Sequence, residues 1–284
     1  MSTTDPPREP SAIDYTAAAL TYDNTRGYSD ALIDRFRRTA ALGSDAHVLE
    51  FGCGTANYLL RIHQRYGCRC YGVEPSEGMR AVACAKSAAL RVVEGDHRSI
   101  PLPAESFDFA YMIDVIHHVP DLASMFRQLY RVLKADGVLA VVTESHAQID
   151  GRFYNRYFPS LAHLEKRRYP DIGEIAERAA GAGFRCLEVE VFARLEPPVV
   201  SEAFIRNVEE KNFSMFRLLA EPEFAAGLKA LAGDHGRSFE KPTGGGTLLW
   251  FGKSTRSKEW RRSFPYAAAS GRIAIDHQVE EQPS

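Results

Sequence analysis

The sequence has no long apolar run and no excess of charge of either sign. No stretch approaches the ~20 consecutive apolar residues of a membrane-spanning helix, and the polar N-terminus has no signal-peptide core. The 284 residues carry 35 basic and 37 acidic side chains, a net charge of −2. That balance gives no support to nucleic-acid binding or to a polybasic membrane surface. We therefore expect a cytoplasmic protein with neither partner, of undetermined oligomeric state.

Cysteine is scarce, and its number is odd. The five residues are Cys53, Cys68, Cys70, Cys84 and Cys186, scattered through apolar stretches. Such a set argues against a disulfide framework. Cys68 and Cys70 form a Cys-x-Cys pair without a second pair, so we expect no zinc and no other metal. The thiols are predicted to be small buried side chains in a reducing compartment.

From residue 47 onwards, short apolar strands alternate with amphipathic helices. The predicted strands are 47–51, 70–73, 91–93, 107–113, 138–143, 186–192 and 247–252. The predicted helices are 14–20, 29–42 with Ser29 as N-cap, 57–66, 77–89, 122–133, 171–182 and much of 201–232. This alternation is typical of an α/β protein whose mainly parallel sheet is covered by helices on both faces.

The ends of the chain differ from its middle. Residues 1–12 are polar and rich in proline, which favours disorder. We expect one domain at 13–253, with a helical insert or lid at about 194–243 before the last strand. The tail at 254–284 is mixed in charge and weakly patterned.

A glycine-containing turn directly follows the first strand, and acidic residues follow or end four strands. The turn is Gly52-Cys-Gly54, and the acidic residues are Glu50, Glu74, Asp96 and Asp114. In an open α/β sheet, ligands bind outside the carboxyl ends of the strands. Each carboxylate alone has an ordinary structural explanation, as an N-cap or a solvated turn. Four together predict a binding edge that favours a cationic ligand.

A dinucleotide is the competing ligand. Its fingerprint has a third glycine for close helix packing, and Asn57 stands at that position. A pyrophosphate also suits basic or neutral surroundings, whereas this edge is acidic. A sulfonium that carries adenosine and an amino-acid tail satisfies the charge requirement better.

These segments together resemble the class I S-adenosylmethionine-dependent methyltransferases of small-molecule type. The resemblance is carried by 48–55, 72–76, 95–96, 107–120 and 129–139, and more faintly by 185–192 and 247–253. It implies a Rossmann-like, seven-stranded and mostly parallel sheet of order 3-2-1-4-5-7-6, with the last-formed strand antiparallel. Ala56 and Asn57 depart from the glycine-rich ending that is commoner in this family.

The resemblance also implies a set of cofactor contacts. The implied cofactor-binding residues are Tyr22, Arg26, Glu50, Gly52, Cys53, Gly54, Glu74, Pro75, Asp96, His97 and Asp114. Glu50 and the glycines would surround the methionine part, Glu74 would hold the ribose hydroxyls, and Asp96 with His97 would border the adenine. Tyr22 and Arg26 would close over the cofactor. An ordinary aromatic anchor and a surface arginine remain the alternative for that pair.

Methyl transfer requires alignment and exclusion of water, and a base only if the acceptor must lose a proton. His117 and His118 follow the fourth strand and are the candidate catalytic residues, although helix capping or packing would also explain them. His146, Tyr154 and Tyr157 are predicted to face the substrate. We expect methylation of a small-molecule acceptor at oxygen, nitrogen or carbon. A peptide or protein methyltransferase, and a catalytically silent S-adenosylmethionine-binding protein, are the alternatives.

Overall fold

The computed structural model describes Asp23 and residues 27–193, 198–240 and 245–253. The predicted disorder at 1–12, the helix at 14–20 and the tail at 254–284 lie outside the described residues. The strands are β1 (His47–Phe51), β2 (Arg69–Val73), β3 (Arg91–Val93), β4 (Phe107–Ile113), β5 (Leu133–Thr143), β6 (Arg185–Ala193) and β7 (Gly245–Gly252). The α-helices are α1 (Asp30–Ala40), α2 (Asn57–Tyr66), α3 (Glu77–Lys86), α4 (Leu122–Val132), α5 (His146–Asp150), α6 (Leu161–Arg168), α7 (Ile172–Gly181), α8 (Glu202–Glu209) and α9 (Glu221–Gly233).

The seven strands form one sheet in the order β3-β2-β1-β4-β5-β7-β6. The pairs β2–β3, β1–β2, β1–β4 and β4–β5 are parallel, whereas β7 runs antiparallel to β5 and to β6. The predicted strand order and the antiparallel last strand are therefore confirmed. Because β6 and β5 are both antiparallel to β7, their carboxyl ends lie at the same edge as those of β1 to β4.

Apolar side chains bury both faces of the sheet. In β4, Ala110 and Met112 belong to one core cluster, and Phe109 and Tyr111 belong to the cluster on the opposite face. This two-sided burial explains why β4 is apolar at every position but Asp108. Ser29 caps α1 by accepting a hydrogen bond from Leu32 N at 3.3 Å, as the sequence predicts.

A third cluster lies outside the sheet, in residues 144–170 and 198–240, which we call the helical layer. Its fully buried members include Phe158, Leu161, Phe216 and Leu231. The first part of the layer leaves the carboxyl end of β5, and the second connects the carboxyl end of β6 with the start of β7. The helical layer is therefore attached to the sheet edge that carries the predicted site.

The structure corrects several expectations. Residues 144–170, where the sequence pattern loosens and predicts no helix, form α5, a 3-10 turn and α6. The predicted helical stretch 201–232 is divided into α8, a 3-10 turn and α9. Helix α3 ends at Lys86 because Ser87 is extended, with φ −163° and ψ 129°. The expectation that all five thiols are buried is wrong, since Cys84 and Cys186 are exposed. No described helix combines the length and the apolar character needed to cross a membrane.

Candidate active site

The parallel strands bring the four predicted carboxylates to one edge. Strands β3, β2, β1 and β4 are neighbours in the sheet. Glu74 and Asp114 directly follow β2 and β4, and Asp96 lies three residues after β3. Glu50 is the fourth residue of β1 and lies beside Gly72 and Tyr111. The edge therefore carries an acidic group at each of four adjacent strands.

The glycine-rich turn is fixed against the end of β2. Gly52 N and Cys53 N both donate to the carbonyl oxygen of Val73, at 2.7 Å and 3.2 Å. Gly52 has a φ of +70°, and a Cβ atom there would lie 2.6 Å from Val115 Cγ1. Any side chain at residue 52 would thus be strained and would clash, so the turn requires glycine at this position.

Glu74 connects the turn to the next helix. One carboxylate oxygen accepts from Gly54 N at 3.0 Å, and the other accepts from Ser76 N at 2.9 Å. The side chain is buried. Burial raises the pKa of Glu74, although the two backbone hydrogen bonds act in the opposite direction. This carboxylate is held in one orientation at the end of β2, where the sequence places the ribose hydroxyls.

Glu50 is a carboxyl group inside the sheet. Its residue is 5% exposed, and it accepts a hydrogen bond from the hydroxyl of Tyr111 at 3.0 Å. Burial, assisted by the nearby charge of Glu74, raises the pKa of Glu50 to about 8. A buried acidic pair of this kind is relieved by a cationic ligand, which favours ionisation of both groups.

A cavity of about 320 Å³ opens beside the ends of β2 and β3. It is lined by Pro75, Glu94, Gly95, Asp96, Arg98, Ser99 and Pro101. Asp96 pairs with Arg98 at 2.6 Å and accepts from Arg98 N at 2.8 Å. Burial raises the pKa of Asp96, but the hydrogen bonds from Arg98 outweigh it and lower the pKa overall. His97, predicted to border the adenine, is half-buried and is not among the residues that line this cavity.

The start of α2 is occupied by a carboxylate of the chain itself. Asp23 Oδ1 accepts from Thr55 Oγ1 at 2.5 Å and from Asn57 Nδ2 at 3.0 Å. In dinucleotide-binding proteins the N-terminus of the corresponding helix holds the pyrophosphate. Asp23 also pairs with Lys86 at 2.6 Å, so side chains of the protein already occupy this position, which disfavours a phosphate and thereby the competing dinucleotide. Tyr22 and Arg26, predicted on either side of Asp23, lie outside the described residues.

The two predicted catalytic histidines follow β4 in a 3-10 turn, Ile116–His118. Asp114, which precedes this turn, is exposed and has a φ of +53°. The ring of His117 is buried and stacks on Tyr169, with centroids 4.1 Å apart and an angle of 12°. The ring of His118 lies 4.0 Å from that of His117 and is half-buried. Of the two imidazoles, His118 is therefore the more accessible to a substrate.

An ion-pair network that the sequence pattern does not indicate lies beside these rings. Arg152 is 7% exposed and pairs with Glu144 and, at 3.0 Å, with Glu165. Arg168 also pairs with Glu165, at 2.7 Å. The charges of the two glutamates and two arginines balance. The only signal of this network in the sequence is a set of charged residues within an aromatic segment. A solvated helix face shows the same signal, so the sequence does not distinguish the two.

Tyr169 joins the network to the histidines. Its ring is 7% exposed, and the guanidinium of Arg152 lies 5.7 Å from its centroid. Burial, and then the charges of Glu165 and Asp114, raise the pKa of Tyr169 well above its usual range. The phenol therefore stays neutral at the carboxyl ends of β4 and β5.

The three predicted substrate-facing residues lie in the first half of the helical layer. His146 Nε2 is 2.8 Å from the carbonyl oxygen of Tyr169. The ring of Tyr154 is half-buried and packs 5.9 Å from that of Phe216. Tyr157 is buried, and its hydroxyl donates to Asp234 at 2.7 Å. The contacts of Tyr157 are those of a packing residue, whereas Tyr154 lies closer to the surface of the layer.

Residues 49–141 match the family model described as a methyltransferase domain. This range contains the glycine-rich turn, all four carboxylates and both histidines. This match, the methyltransferase relatives and the shared fold confirm the predicted resemblance to the class I S-adenosylmethionine-dependent methyltransferases. The same comparisons support the predicted enzyme class and the predicted cofactor, S-adenosylmethionine.

Individual methyltransferases share moderate identity with this chain. A demethylmenaquinone methyltransferase of Listeria welshimeri is 29% identical over 164 residues, which cover 49% of this chain and 70% of the relative. A malonyl-(acyl-carrier protein) O-methyltransferase of Serratia marcescens is 25% identical over 194 residues, 60% of this chain and 76% of the relative. These two relatives differ in acceptor, so they do not identify the acceptor of this chain.

A solved methyltransferase structure shares the fold. It is described as a methyltransferase of an antibiotic biosynthesis pathway from Anabaena variabilis, and it superposes with a TM-score of 0.66 at 20% identity. The match covers 80% of this chain and 98% of that structure. Because it extends well beyond residues 49–141, parts of the helical layer also follow the arrangement of this methyltransferase.

Proposed function

We propose that the protein methylates a small, partly apolar acceptor at oxygen, nitrogen or carbon. The observation that supports this most is the helical layer, which adjoins the carboxyl edge beside Asp114 and His118. It supplies half-buried aromatic rings, including Phe153, Tyr154 and Phe204. Apolar and aromatic walls with a few polar groups are characteristic of small-molecule sites.

The buried arginine beside Tyr169 is not free to hold an acidic acceptor. A carboxylate needs a cation to hold it, and the guanidinium of Arg152 is already paired with Glu144 and Glu165. The Serratia relative is named for a malonyl carrier-protein acceptor, which keeps a carrier-bound or peptide acceptor as the alternative. A neutral phenol, quinol or amine suits the paired charges better.

We assign the cofactor to the acidic edge. Glu50, Gly52, Cys53 and Gly54 would surround the methionine part, and Glu74 with Pro75 would hold the ribose. Asp96 and His97 would border the adenine, and Tyr22, Arg26 and Asp114 complete the assignment. The fixed Glu74 carboxylate, the cavity beside Asp96 and the raised pKa of Glu50 support this assignment.

When bound, S-adenosylmethionine supplies a methyl group that is already activated by a sulfonium. The chain has to orient the acceptor, exclude water and, where necessary, remove one proton. We assign proton removal to His118, which is half-buried, while His117 packs against Tyr169 and orients it. The neutral phenol of Tyr169 and the side chains of His146 and Tyr154 would border the acceptor, and Tyr157, the third residue predicted there, would support this wall by packing. Tyr169 is therefore added to the residues predicted from the sequence.

The domain limits of 13–253 with an insert at 194–243 remain our proposal, as do the cytoplasmic location and the absence of a nucleic-acid partner. A net charge of −2 supports the absence of a nucleic-acid partner.

The decisive experiment on the acceptor measures release of S-adenosylhomocysteine across matched phenols, quinols, amines and carboxylic acids. Turnover of neutral acceptors is expected. Turnover of acids alone would reject the acceptor class, and cofactor binding without any turnover across the panel would support the silent alternative.

Glu74→Ala tests the cofactor assignment. Loss of a charged acceptor of ribose hydrogen bonds is expected to weaken S-adenosylmethionine binding by about 1.5–3 kcal/mol, measured by calorimetry. Glu77→Ala is the matched control because that carboxylate is exposed on α3, three residues further along the chain. Equal affinity of the two variants would show that the ribose assignment is wrong.

A further inference from the structure

The guanidinium of Arg80 connects two walls of the cavity beside β2 and β3. Its Nη1 donates to the carbonyl oxygens of Glu74, at 3.0 Å, and of Pro75, at 2.8 Å. Its Nη2 pairs with Glu94 at 3.1 Å. Pro75 follows β2 and Glu94 follows β3, and both line the cavity, whereas Arg80 does not. Arg80 therefore acts on the shape of the cavity from behind its walls.

The position of Arg80 in α3 directs its side chain toward these carbonyl groups. Arg80 is the fourth residue of α3, and helical side chains tilt toward the N-terminus of their helix. The positive end of the helix dipole disfavours a cation near this terminus. The side chain is nevertheless only 17% exposed. Its contacts with two carbonyl oxygens and a carboxylate offset the repulsion.

A single peptide group joins Arg80 to the carboxylate of Glu74. The group between Pro75 and Ser76 is trans and planar, so its oxygen and its N–H point in opposite directions. Arg80 holds the oxygen at 2.8 Å, and Glu74 Oε1 accepts from the N–H at 2.9 Å. A rotation of this peptide group would break both hydrogen bonds. Arg80 thus fixes one of the two donors that orient the carboxylate, the other being Gly54 N.

The charge of Arg80 also acts on Glu74. Burial raises the pKa of Glu74, and the two backbone hydrogen bonds and the positive charge of Arg80 act against that rise. An ionised carboxylate accepts stronger hydrogen bonds than a neutral carboxyl group. Arg80 therefore favours both the orientation and the ionised form that are needed to accept two hydroxyl groups.

We propose that Arg80 is a positioning residue for the ribose of S-adenosylmethionine, acting through the Pro75–Ser76 peptide group and the Glu74 carboxylate. In nucleotide-binding α/β folds, an acidic residue about 20 positions after the glycine-rich turn holds ribose hydroxyls. Glu74 lies 20 positions after Gly54 and contacts its backbone. The inference rests on the cofactor site proposed above and is independent of the acceptor.

The test measures binding of S-adenosylhomocysteine and of its 2′,3′-dideoxy analogue to the full chain by calorimetry. Arg80→Met is expected to weaken S-adenosylhomocysteine about tenfold. It should leave the affinity of the dideoxy analogue unchanged, because this ligand lacks the hydroxyls that Glu74 would accept. Arg65→Met is the matched control, since it removes ion pairs of α2 with Asp30 and Asp34, which do not line the cavity. It should change neither affinity.

Two further variants separate positioning from packing. Arg80→Lys retains the charge without the planar fork and should show the same selective loss at a smaller magnitude. Glu74→Ala combined with Arg80→Met should bind no more weakly than Glu74→Ala, since both changes act on one contact. Equal losses for the two ligands in Arg80→Met, or an unchanged affinity for S-adenosylhomocysteine, would overturn the proposal. Unchanged affinity in Glu74→Ala would instead reject the ribose assignment itself.

Discussion

Cofactor binding should release a proton from Glu50 at neutral pH. Burial raises the pKa of this carboxyl to about 8, so in the free enzyme about nine-tenths of it is protonated at pH 7. A cationic cofactor bound at the same edge favours the ionised form. Binding and deprotonation are therefore linked, and affinity must rise with pH until Glu50 is ionised in the free enzyme.

The size of the effect follows from the pKa. Below pH 7 nearly every free molecule holds the proton, so binding releases close to one proton and affinity should increase about tenfold per pH unit. The amino group of the cofactor does not interfere in this range, because an α-amino pKa lies near 7.7–8.0. Asp96 releases no proton in this range either, since its pKa is lowered and the carboxylate is already ionised.

Calorimetry between pH 5.5 and 7.0, in buffers of different ionisation enthalpy, counts the protons directly. We expect the wild type to release about one proton per bound cofactor and Glu50→Gln to release close to none. Asp96→Asn should release as many protons as the wild type. A wild-type count near zero would refute the linkage. The same count in Glu50→Gln would show that the proton comes from another group, Glu74 being the nearest acidic candidate.

Three further predictions concern stability. The pKa of Glu50 in the folded protein, about 8, lies above its ordinary value of 4.5. The stabilising contribution of Glu50 is therefore complete below pH 4.5 and is lost by about pH 8, a change of up to about 5 kcal/mol in the free energy of unfolding. Urea unfolding of Glu50→Gln should no longer show this change. Ala56 has a φ of +63°, but its methyl group is fully buried, so in Ala56→Gly the relief of backbone strain (about 1–2 kcal/mol) is offset by the lost methyl (about 0.8 kcal/mol), and the free energy of unfolding should change by less than about 1 kcal/mol. Ala180→Gly, at an exposed position of α7, has no strain to relieve and should lower it by about 1 kcal/mol. Arg152→Met removes the cation that pairs with Glu144 and leaves Glu165 with Arg168 alone, and it should lower the free energy of unfolding by about 3–5 kcal/mol. The exposed Arg156→Met should lower it little, and equal losses in the two variants would contradict a buried network.

Local patterns were sufficient to predict most of the sheet. The bounds of β1, β3, β4 and α2 are those that the sequence indicates, because each strand is mainly apolar and α2 carries an apolar stripe at helical spacing. The strand order came from the family resemblance, since the pairing of β7 between β5 and β6 is a property of the whole chain. Carboxylates at strand ends were predictable because parallel strands share an edge.

The helical layer was not predictable in the same way. Helix α6 carries three consecutive basic residues in its last turn, a run that in sequence resembles a solvated surface. Its stability comes from partners distant in the chain, since Leu161 packs in one cluster with Phe216 and Leu231. Likewise, nothing near Arg152 in sequence indicates that Glu165, thirteen residues away, would neutralise it in the interior.

The four acidic residues at the sheet edge are not equivalent, and the difference has a chemical consequence. Glu50 is neutral at pH 7, because burial raises its pKa to about 8, whereas the arginine beside Asp96 keeps that group ionised. Before the cofactor binds, the methionine end of the site is therefore less negative than the sequence implies. The Glu50 carboxyl becomes ionised when the cationic cofactor binds. A neutral or phosphorylated nucleotide would induce no such ionisation, so proton release on binding distinguishes a cationic cofactor from these nucleotides.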